Sequence, residues 1–281
     1  MQIDLTGKVA AVTGGTGILC SHMARVLAEH RAAVAILGRR TEVANSIAAE
    51  IEAAGGKAAG VECDVLKVDS VEKANEEIEK RLGPVDILVN GAGGNHPGGT
   101  TSREYLDGGD LDAAVENVRT FYNLDLEGIE LVFDLNFVGT LVPSRVFTRR
   151  MVKKQKGVII NISSMTAFNP LTKVPAYSAA KAAVNNFTRW LAVHMSKVGI
   201  RVNAIAPGFF ITEQNRSLLA NEDGSLTERG KKIISHTPMD KFGDPADLAG
   251  ALLWLACDDA SGFVTGAVIP VDGGFSAFSG V

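Results

Sequence analysis

Short apolar runs that alternate with helical stretches are the feature that most constrains the fold of this protein. Runs with the length and composition of strands lie at residues 9–13, 34–37, 60–64, 85–90, 157–162, 200–205 and 267–271. Helical patterns fall between them, at 22–30, 41–54, 70–81, 130–154, 177–197 and 245–256. Strands that are buried on both faces have continuous rather than alternating apolar residues. The pattern therefore predicts an α/β fold, in which a doubly wound parallel sheet lies between two layers of helices.

Composition bounds the size and the partners of the protein. Its 281 residues and 46% hydrophobic content suit a single α/β domain, and no linker or internal repeat interrupts it. The net charge of −4 and the lack of a long basic run argue against nucleic acid as the main partner. No apolar stretch approaches the roughly 18 residues that a membrane span needs, and the N-terminal segment lacks a signal-peptide pattern. We therefore expect a cytoplasmic protein without membrane association.

Cysteine and histidine spacing argues against a metal site. Cys20, Cys63 and Cys257 are odd in number and far apart, which is typical of reduced thiols in a cytosolic protein. The five histidines form no cluster with ligand spacing. We expect no bound metal.

A glycine-rich turn separates the first predicted strand from the first predicted helix. The sequence Thr-Gly-Gly-Thr-Gly-Ile-Leu-Cys occupies residues 13–20. Missing side chains let the backbone approach a pyrophosphate, and a helix N-terminus favours its negative charge. In this strand-to-helix context the turn predicts a pyrophosphate-binding site.

Tyr177 and Lys181 lie four residues apart in a predicted helix, so they share one face of it. A phenol with a pKa of about 10 is a poor acid or base at neutral pH. A cation held beside it lowers that pKa toward the working range. Ser164 precedes Tyr177 by thirteen residues and can hydrogen-bond the same reacting oxygen. The three side chains predict a proton-transfer site, although the pair alone also fits an exposed helix surface.

Further motifs follow in a fixed order along the sequence. They are Thr13-Gly14, Asp64, Asn90-Gly91-Ala92-Gly93, Asn136, Ser164, Tyr177 with Lys181, and Pro207-Gly208 followed by Thr212. In these motifs the protein resembles the short-chain dehydrogenase/reductases over essentially its whole length. The resemblance implies a Rossmann-type fold, a nicotinamide cofactor and hydride transfer with Tyr177 as the acid/base.

The resemblance also implies a role for each matching residue. Lys181 would bind the nicotinamide ribose and lower the Tyr177 pKa, and Ser164 would polarise the carbonyl oxygen. Asn136 would hold a water that connects Lys181 to solvent; alternatively, it is an amide that kinks its helix by bonding to the backbone. The cofactor-binding residues would be Gly14, Thr16, Gly17, Ile18, Arg39, Asp64, Val65, Asn90, Gly91, Ala92, Tyr177, Lys181, Pro207, Gly208 and Thr212.

The glycine turn departs from the family pattern. Ile18 and Cys20 stand where the family has glycines, and Gly15 and Gly17 are offset from those positions. The turn keeps its length but has a different backbone freedom. We expect Gly17 to take over the close approach to the cofactor.

Five longer segments carry a narrower resemblance. They are residues 93–97, 133–137, 171–175, 208–216 and 272–279. They are similar to the D-mannonate oxidoreductases of the short-chain type, also called fructuronate reductases, which implies reduction of the sugar acid D-fructuronate to D-mannonate. A gluconate 5-dehydrogenase-like activity, a 3-ketoacyl reductase activity and a non-catalytic cofactor-binding protein remain alternatives.

The choice between NAD(H) and NADP(H) stays open. Gly38-Arg39-Arg40 follows the second strand, without the acidic residue that would hold the ribose hydroxyls of NAD. Arg39 and Arg40 are able to bind a 2′-phosphate, or else to stack on the adenine as solvated arginines. The sugar-acid group favours NAD(H) instead.

A polar, glycine-rich segment at about 94–130 interrupts the alternation of strands and helices. Because it leaves the carboxyl end of a parallel strand, we interpret it as a substrate-capping insertion in a single domain that spans residues 1–281. Candidate substrate contacts lie there and in two other loops: Asn95, His96, Lys173, Gln214 and Arg216. The family resemblance further implies a homotetramer.

Overall fold

The computed structural model describes residues 3–110, 118–212 and 216–280. Their central feature is a parallel sheet with the strand order β3-β2-β1-β4-β5-β6-β7. The strands are β1 (Val9–Thr13), β2 (Ala33–Gly38), β3 (Lys57–Glu62), β4 (Ile87–Asn90), β5 (Gly157–Ile162), β6 (Ile200–Pro207) and β7 (Val268–Val271). The order reverses between β1 and β4, which creates a crevice at the carboxyl ends of these strands. The predicted doubly wound sheet is confirmed.

Helices cover both faces of the sheet. They are α1 (Ile18–Glu29), α2 (Thr41–Ala53), α3 (Val68–Arg81), α4 (Leu126–Phe133), α5 (Gly139–Lys154), α6 (Pro175–Met195), α7 (Arg216–Leu219), α8 (Glu228–Ser235), α9 (Ala249–Ala256) and α10 (Asp258–Ser261). Within the described ranges, none of these helices combines the length and the apolar character that crossing a bilayer requires.

Strand β1 shows why the strands have continuous apolar sequences. Ala10 and Val12 pack in a core cluster with α1, α2 and α9, whereas Val9 and Ala11 pack in a second cluster with α3, α5 and α6. Every residue of the strand is buried. The three-layer α/β/α arrangement follows from this burial on both faces.

Some element boundaries differ from the sequence predictions, and glycines account for two of them. Strand β3 begins at Lys57, three residues before the predicted start at Gly60. Gly60 is an interior residue of the strand, at a place where α2 packs closely against it. A Cβ on Gly60 would lie 2.5 Å from the Asn45 backbone nitrogen. Helix α1 begins at Ile18 rather than at 22, because the Gly17 backbone already acts as the N-cap.

The predicted helix at 130–154 is divided into three parts. A π-helical turn, Asp134–Val138, joins α4 to α5. The expected insertion at 94–130 consists of loops and short 3₁₀ turns at Pro97–Gly99, Gly108–Asp110 and Phe121–Asn123, and it ends within α4. Its residues 111–117 lie outside the described residues.

Asp258 joins α10 to the amino end of the sheet. Its carboxylate lies 3.0 Å from Arg201 of β6, 3.2 Å from Lys156 and 3.5 Å from Lys8. Burial raises the pKa of Asp258, but hydrogen bonds from Arg201 and Lys156 and the charge of Lys8 outweigh it and hold that pKa below its usual range. The ionised carboxylate is therefore the partner of the buried Arg201 guanidinium.

Replacing Asp258 by Asn should lower the free energy of unfolding by about 2 kcal/mol at neutral pH, because Arg201 then stays buried without its anion. Urea denaturation measures the change. The exposed neighbour gives a matched control: D259N should change stability by less than about 0.5 kcal/mol. Since the pKa of Asp258 is lowered, the advantage of the wild type should disappear as pH falls through the folded-state pKa. Equal stability of D258N and wild type at neutral pH would contradict this account.

Candidate functional site

The four predicted catalytic residues meet at the carboxyl ends of β4 and β5. Ser164 follows β5, Tyr177 and Lys181 lie in the first turns of α6, and Asn136 lies in the π-helical turn. Gly93 stands between two of them: a Cβ there would lie 2.7 Å from Asn136 Oδ1 and 3.1 Å from Lys181 Nζ. A side chain at this position would therefore push Asn136 and Lys181 apart.

Lys181 is a buried cation, with 4% of its surface exposed. Its Nζ donates a hydrogen bond to the Ile162 carbonyl oxygen at 2.9 Å. Burial lowers the pKa of Lys181 from 10.5 to about 8, and the nearby Cys20 opposes that shift. The ammonium group thus changes protonation state close to neutral pH.

Tyr177 lies beside Lys181, whose Nζ is 5.7 Å from the centre of the phenol ring. Pro175 begins α6 and fixes the direction of the turn that carries Tyr177. Burial raises the pKa of Tyr177 above 10, and a hydrogen bond with the Ser164 side chain partly counteracts it. The expectation that the folded protein lowers the Tyr177 pKa is therefore wrong for this structure, because desolvation of the phenolate dominates.

Ser164 and its neighbour Ser163 have different partners. Ser164 Oγ accepts a hydrogen bond from the Thr166 amide at 3.2 Å and caps a 3₁₀ turn. Ser163 Oγ donates to Asn185 Oδ1 on α6 at 2.5 Å, so the loop after β5 is tied to the helix that carries Tyr177. Sequence reasoning missed Ser163 and Asn185; the paired serines after β5 were the available signal.

The Asn136 side chain bonds to the backbone on two sides. Its Nδ2 donates to the Gly94 carbonyl at 2.7 Å and to the Val132 carbonyl at 2.8 Å, and its Oδ1 accepts from the Gly94 amide at 3.3 Å. Val132 is four residues earlier, and the bond accompanies the π-helical turn. The structure thus has the alternative arrangement, a backbone-bonded amide, and Asn136 also holds the start of the insertion. A water-holding role stays a prediction.

The glycine-rich turn fits a dinucleotide. Gly14 has a φ of +64°, and a Cβ on it would lie 2.7 Å from the Gly91 carbonyl oxygen. Thr13 Oγ1 accepts hydrogen bonds from the Gly91 and Ala92 amides at 3.0 and 3.3 Å. Gly17 gives α1 no side-chain cap, and the first turn has no acidic residue. The N-terminal amides of α1 are therefore suited to a pyrophosphate.

Cys20 explains the departure from the family's glycine pattern. Its thiol is buried and lies 3.8 Å from the Gly91 carbonyl oxygen. A Cβ on Gly91 would overlap the Cys20 Sγ. Burial raises the pKa of Cys20 to about 11, so the thiol packs rather than reacts. The cysteine on α1 and the glycine after β4 form a complementary pair.

The Thr16 side chain lies against Gly38 at the end of β2, next to positions 38–40, which have no acidic residue. A Cβ on Gly38 would lie 2.8 Å from Thr16 Cγ2. Arg40 Nη2 donates to the Thr16 carbonyl at 3.2 Å, and Arg39 is exposed. Asp64 lies at the carboxyl end of β3, where its Oδ1 accepts from the Leu66 amide at 3.2 Å.

Two predicted cofactor contacts have buried side chains. Val65 packs in the core, and Asn90 Nδ2 donates to Ser144 Oγ and Asn161 Oδ1 at 3.0 and 2.9 Å. Both side chains are therefore turned into the protein, and cofactor binding by these two residues, through their backbones, stays a prediction. The remaining predicted contacts are partly buried or lie at a strand end: Ile18, Ala92, Pro207, Gly208 and Thr212.

Asn95 and His96, the predicted substrate contacts of the insertion, both hydrogen-bond within it. Asn95 Nδ2 donates to Thr100 Oγ1 at 3.0 Å. His96 Nδ1 accepts from the Gly98 amide at 3.1 Å, and a Cβ on Gly128 would lie 2.9 Å from that nitrogen, so the ring packs against α4. Arg216 is exposed at the start of α7. Gln214 lies outside the described residues.

Replacing Lys181 by Met should raise the free energy of unfolding by about 2 kcal/mol at neutral pH, because the cost of burying the ammonium outweighs one lost hydrogen bond. The unfolded state binds more protons between pH 8 and 10.5, so wild-type stability rises with pH in that window. The gap between K181M and wild type should therefore close there. Denaturation at several pH values measures it, with the exposed K197M as control. A gap that does not change with pH would contradict the assignment.

Replacing Gly91 by Ala should lower the free energy of unfolding by about 2 kcal/mol through overlap with the Cys20 thiol. Adding C20A should remove part of that cost, because the smaller side chain frees the space, whereas the Thr13 carbonyl oxygen, 2.9 Å from the same Cβ, stays close. Chemical denaturation of wild type, both single variants and the double variant completes the cycle. Additive costs would show that the two positions do not depend on each other.

Comparison with known proteins gives a family for this geometry. A family model described as short chain dehydrogenase matches residues 8–223. An uncharacterized oxidoreductase, UxuB, of Bacillus subtilis (strain 168) is 53% identical over 279 residues, which cover 99% of this chain and 98% of the relative. The resemblance drawn from the motifs is thereby confirmed.

Solved structures agree with this family. A crystal structure named as a candidate D-mannonate oxidoreductase from Haemophilus influenza, with bound NAD, has a TM-score of 0.93 and 50% identity over 99% of this chain and 98% of that one. A gluconate 5-dehydrogenase from Burkholderia cenocepacia J2315, in complex with NADP and tartrate, has a TM-score of 0.83 and 30% identity over 98% of both chains. The protein belongs to the short-chain dehydrogenase family and is an NAD(P)-dependent oxidoreductase that acts on a CH–OH group.

Proposed function

We propose that this protein reduces the keto-sugar acid D-fructuronate to D-mannonate. The observation that carries the proposal is the 50% identity, over nearly the whole of both chains, to the structure named as a candidate D-mannonate oxidoreductase. The polar character of the insertion supports it, because Asn95, His96 and Arg103 suit a small polar ligand better than a long acyl group.

In the proposed reaction the nicotinamide cofactor supplies the hydride, and the protein supplies position and a proton. Tyr177 donates its hydroxyl proton to the carbonyl oxygen of the substrate as the alcohol forms. The raised pKa of Tyr177 keeps the phenol protonated at neutral pH, which suits an acid in the direction of reduction. Ser164 hydrogen-bonds the same oxygen and orients it.

Lys181 stabilises the phenolate that Tyr177 becomes after the proton leaves. Its lowered pKa of about 8 lies close to neutral pH, so it also exchanges protons readily under working conditions. Asn136 fixes the Gly94 backbone and thereby holds the start of the insertion next to the reacting groups.

The cofactor is proposed to lie along the carboxyl ends of β1 and β4. Its pyrophosphate would approach Gly14 and Gly17 at the N-terminus of α1. Arg39, Arg40 and Thr16 would lie near the adenosine ribose, since Arg40 bonds the Thr16 carbonyl and no acidic residue stands at 38–40. Both NAD(H) and NADP(H) remain candidates, because the basic residues favour a 2′-phosphate and the Haemophilus structure holds NAD.

Purified protein should oxidise NADH or NADPH when D-fructuronate is added, and absorbance at the nicotinamide band measures it. Y177F should lose at least about 99% of turnover, since it lacks the transferred proton, while cofactor binding stays within about twofold. Y122F, which alters an exposed tyrosine of the insertion, is the matched control.

The same assay separates the alternatives. Turnover of 5-ketogluconate without fructuronate would indicate the gluconate 5-dehydrogenase-like activity, and turnover of acetoacetyl thioesters would indicate a 3-ketoacyl reductase. Cofactor binding without turnover of any of these compounds would overturn the proposal.

A further inference from the structure

We propose that Lys173 binds the carboxylate of the sugar-acid substrate and so sets the preference for an acid over a neutral ketose. The inference rests on the function proposed above and gives that function a specificity-determining residue.

Lys173 lies in the loop between Ser164 and Tyr177, two of the residues that contact the reacting oxygen in the proposed reaction. Its backbone has a φ of +73°, in the left-handed region that non-glycine residues rarely adopt. The insertion holds it in this conformation, because the Thr101 amide donates to the Lys173 carbonyl at 2.8 Å. The position of this lysine is therefore fixed from both the catalytic loop and the cap.

The Lys173 ammonium is available to an anion. The residue is half-buried, and it makes no ion pair within 4.0 Å to any residue of the three described ranges. Glu104, a carboxylate whose pKa the Lys173 charge lowers, is more than 4.0 Å away and is already paired with Lys232, so an anionic ligand is able to pair with the Lys173 ammonium. A solvated surface lysine would need neither the half-buried position nor the fixed backbone.

Other charges near Lys173 add to its attraction for anions. Glu104 of the insertion lies 2.5 Å from Lys232 of α8. The hydrogen bond from Lys232 is the largest effect that lowers the pKa of Glu104, and the charges of Lys232, Lys173 and Arg229 lower it further. We call these four residues the basic cluster. Three cations face one carboxylate in it, so the cluster has an excess of positive charge that attracts a sugar acid toward the site.

The choice of occupant follows from the chemistry of the proposed substrate. D-fructuronate differs from D-fructose in having a carboxylate in place of the terminal CH₂OH group. A charge-assisted hydrogen bond from an ammonium distinguishes these two groups, whereas hydroxyl contacts do not.

The test compares K173N with wild type on D-fructuronate and on D-fructose. Asn tolerates the left-handed backbone, so the variant removes the ammonium and keeps the loop. We expect the KM for fructuronate to rise at least about tenfold, with kcat within about threefold and little change on fructose. K173R, which keeps the charge, should recover most of the loss. K231N, which removes a cation of α8 that is paired with Glu228, is the matched control and should behave as wild type.

Each outcome decides the inference. An unchanged KM for fructuronate in K173N would overturn the role of Lys173 and leave the proposed function standing. Equal losses on fructuronate and fructose would also overturn it, because the lysine would then only shape the loop. Absence of fructuronate turnover by the wild type would overturn the proposed function, and with it the ligand assigned to Lys173.

Discussion

The burial of one ammonium group sets the arrangement of this site. Lys181 Nζ lies next to Gly93 and donates a hydrogen bond to the Ile162 carbonyl oxygen, so the ammonium is removed from bulk water. The cost of desolvation lowers its pKa to about 8 and gives the protein a cation that titrates near working pH. Gly93 and Asn136 are explained by the same constraint, because both lie close around the ammonium.

A buried polar network keeps helices α5 and α6 in register with the sheet. Asn90 and Asn161 are paired on β4 and β5, and their amides are hydrogen-bonded to each other at 2.9 Å. Asn90 also reaches Ser144 on α5, and Asn161 reaches Thr188 on α6. Helix α5 continues from the turn with Asn136, and α6 carries Tyr177 and Lys181. Hydrogen bonds in a buried network are strong and directional, so the network fixes the distance between these helices.

The strands and the layers could be predicted from the sequence because each depends on a local pattern, and the motifs indicated that Asn136, Ser164, Tyr177 and Lys181 lie close together. Apolar runs indicated the strands, and the spacing of Tyr177 and Lys181 indicated a shared helix face. The direction of the Tyr177 pKa could not be predicted, since it depends on how much water the folded site excludes. The pairing of Cys20 with Gly91 was equally inaccessible, because it joins residues that are 71 positions apart.

A side chain that a motif assigns to ligand binding can instead make hydrogen bonds within the protein. Asn90 matches a cofactor motif, yet its amide is used between strands, and His96 uses Nδ1 to cap a turn of the insertion. Both uses depend on neighbours that the motif does not specify. The homotetramer and the roles of the individual site residues stay predictions.

The most direct test of the central claim is a titration of Lys181 by carbon-13 NMR. The protein is labelled at the lysine ε-carbons, and the K181M spectrum assigns the signal. The account predicts a midpoint at about pH 8, well below the ordinary lysine value of 10.5. A midpoint near about 10.4, the value of an exposed lysine, would show that the ammonium is solvated and would contradict the account.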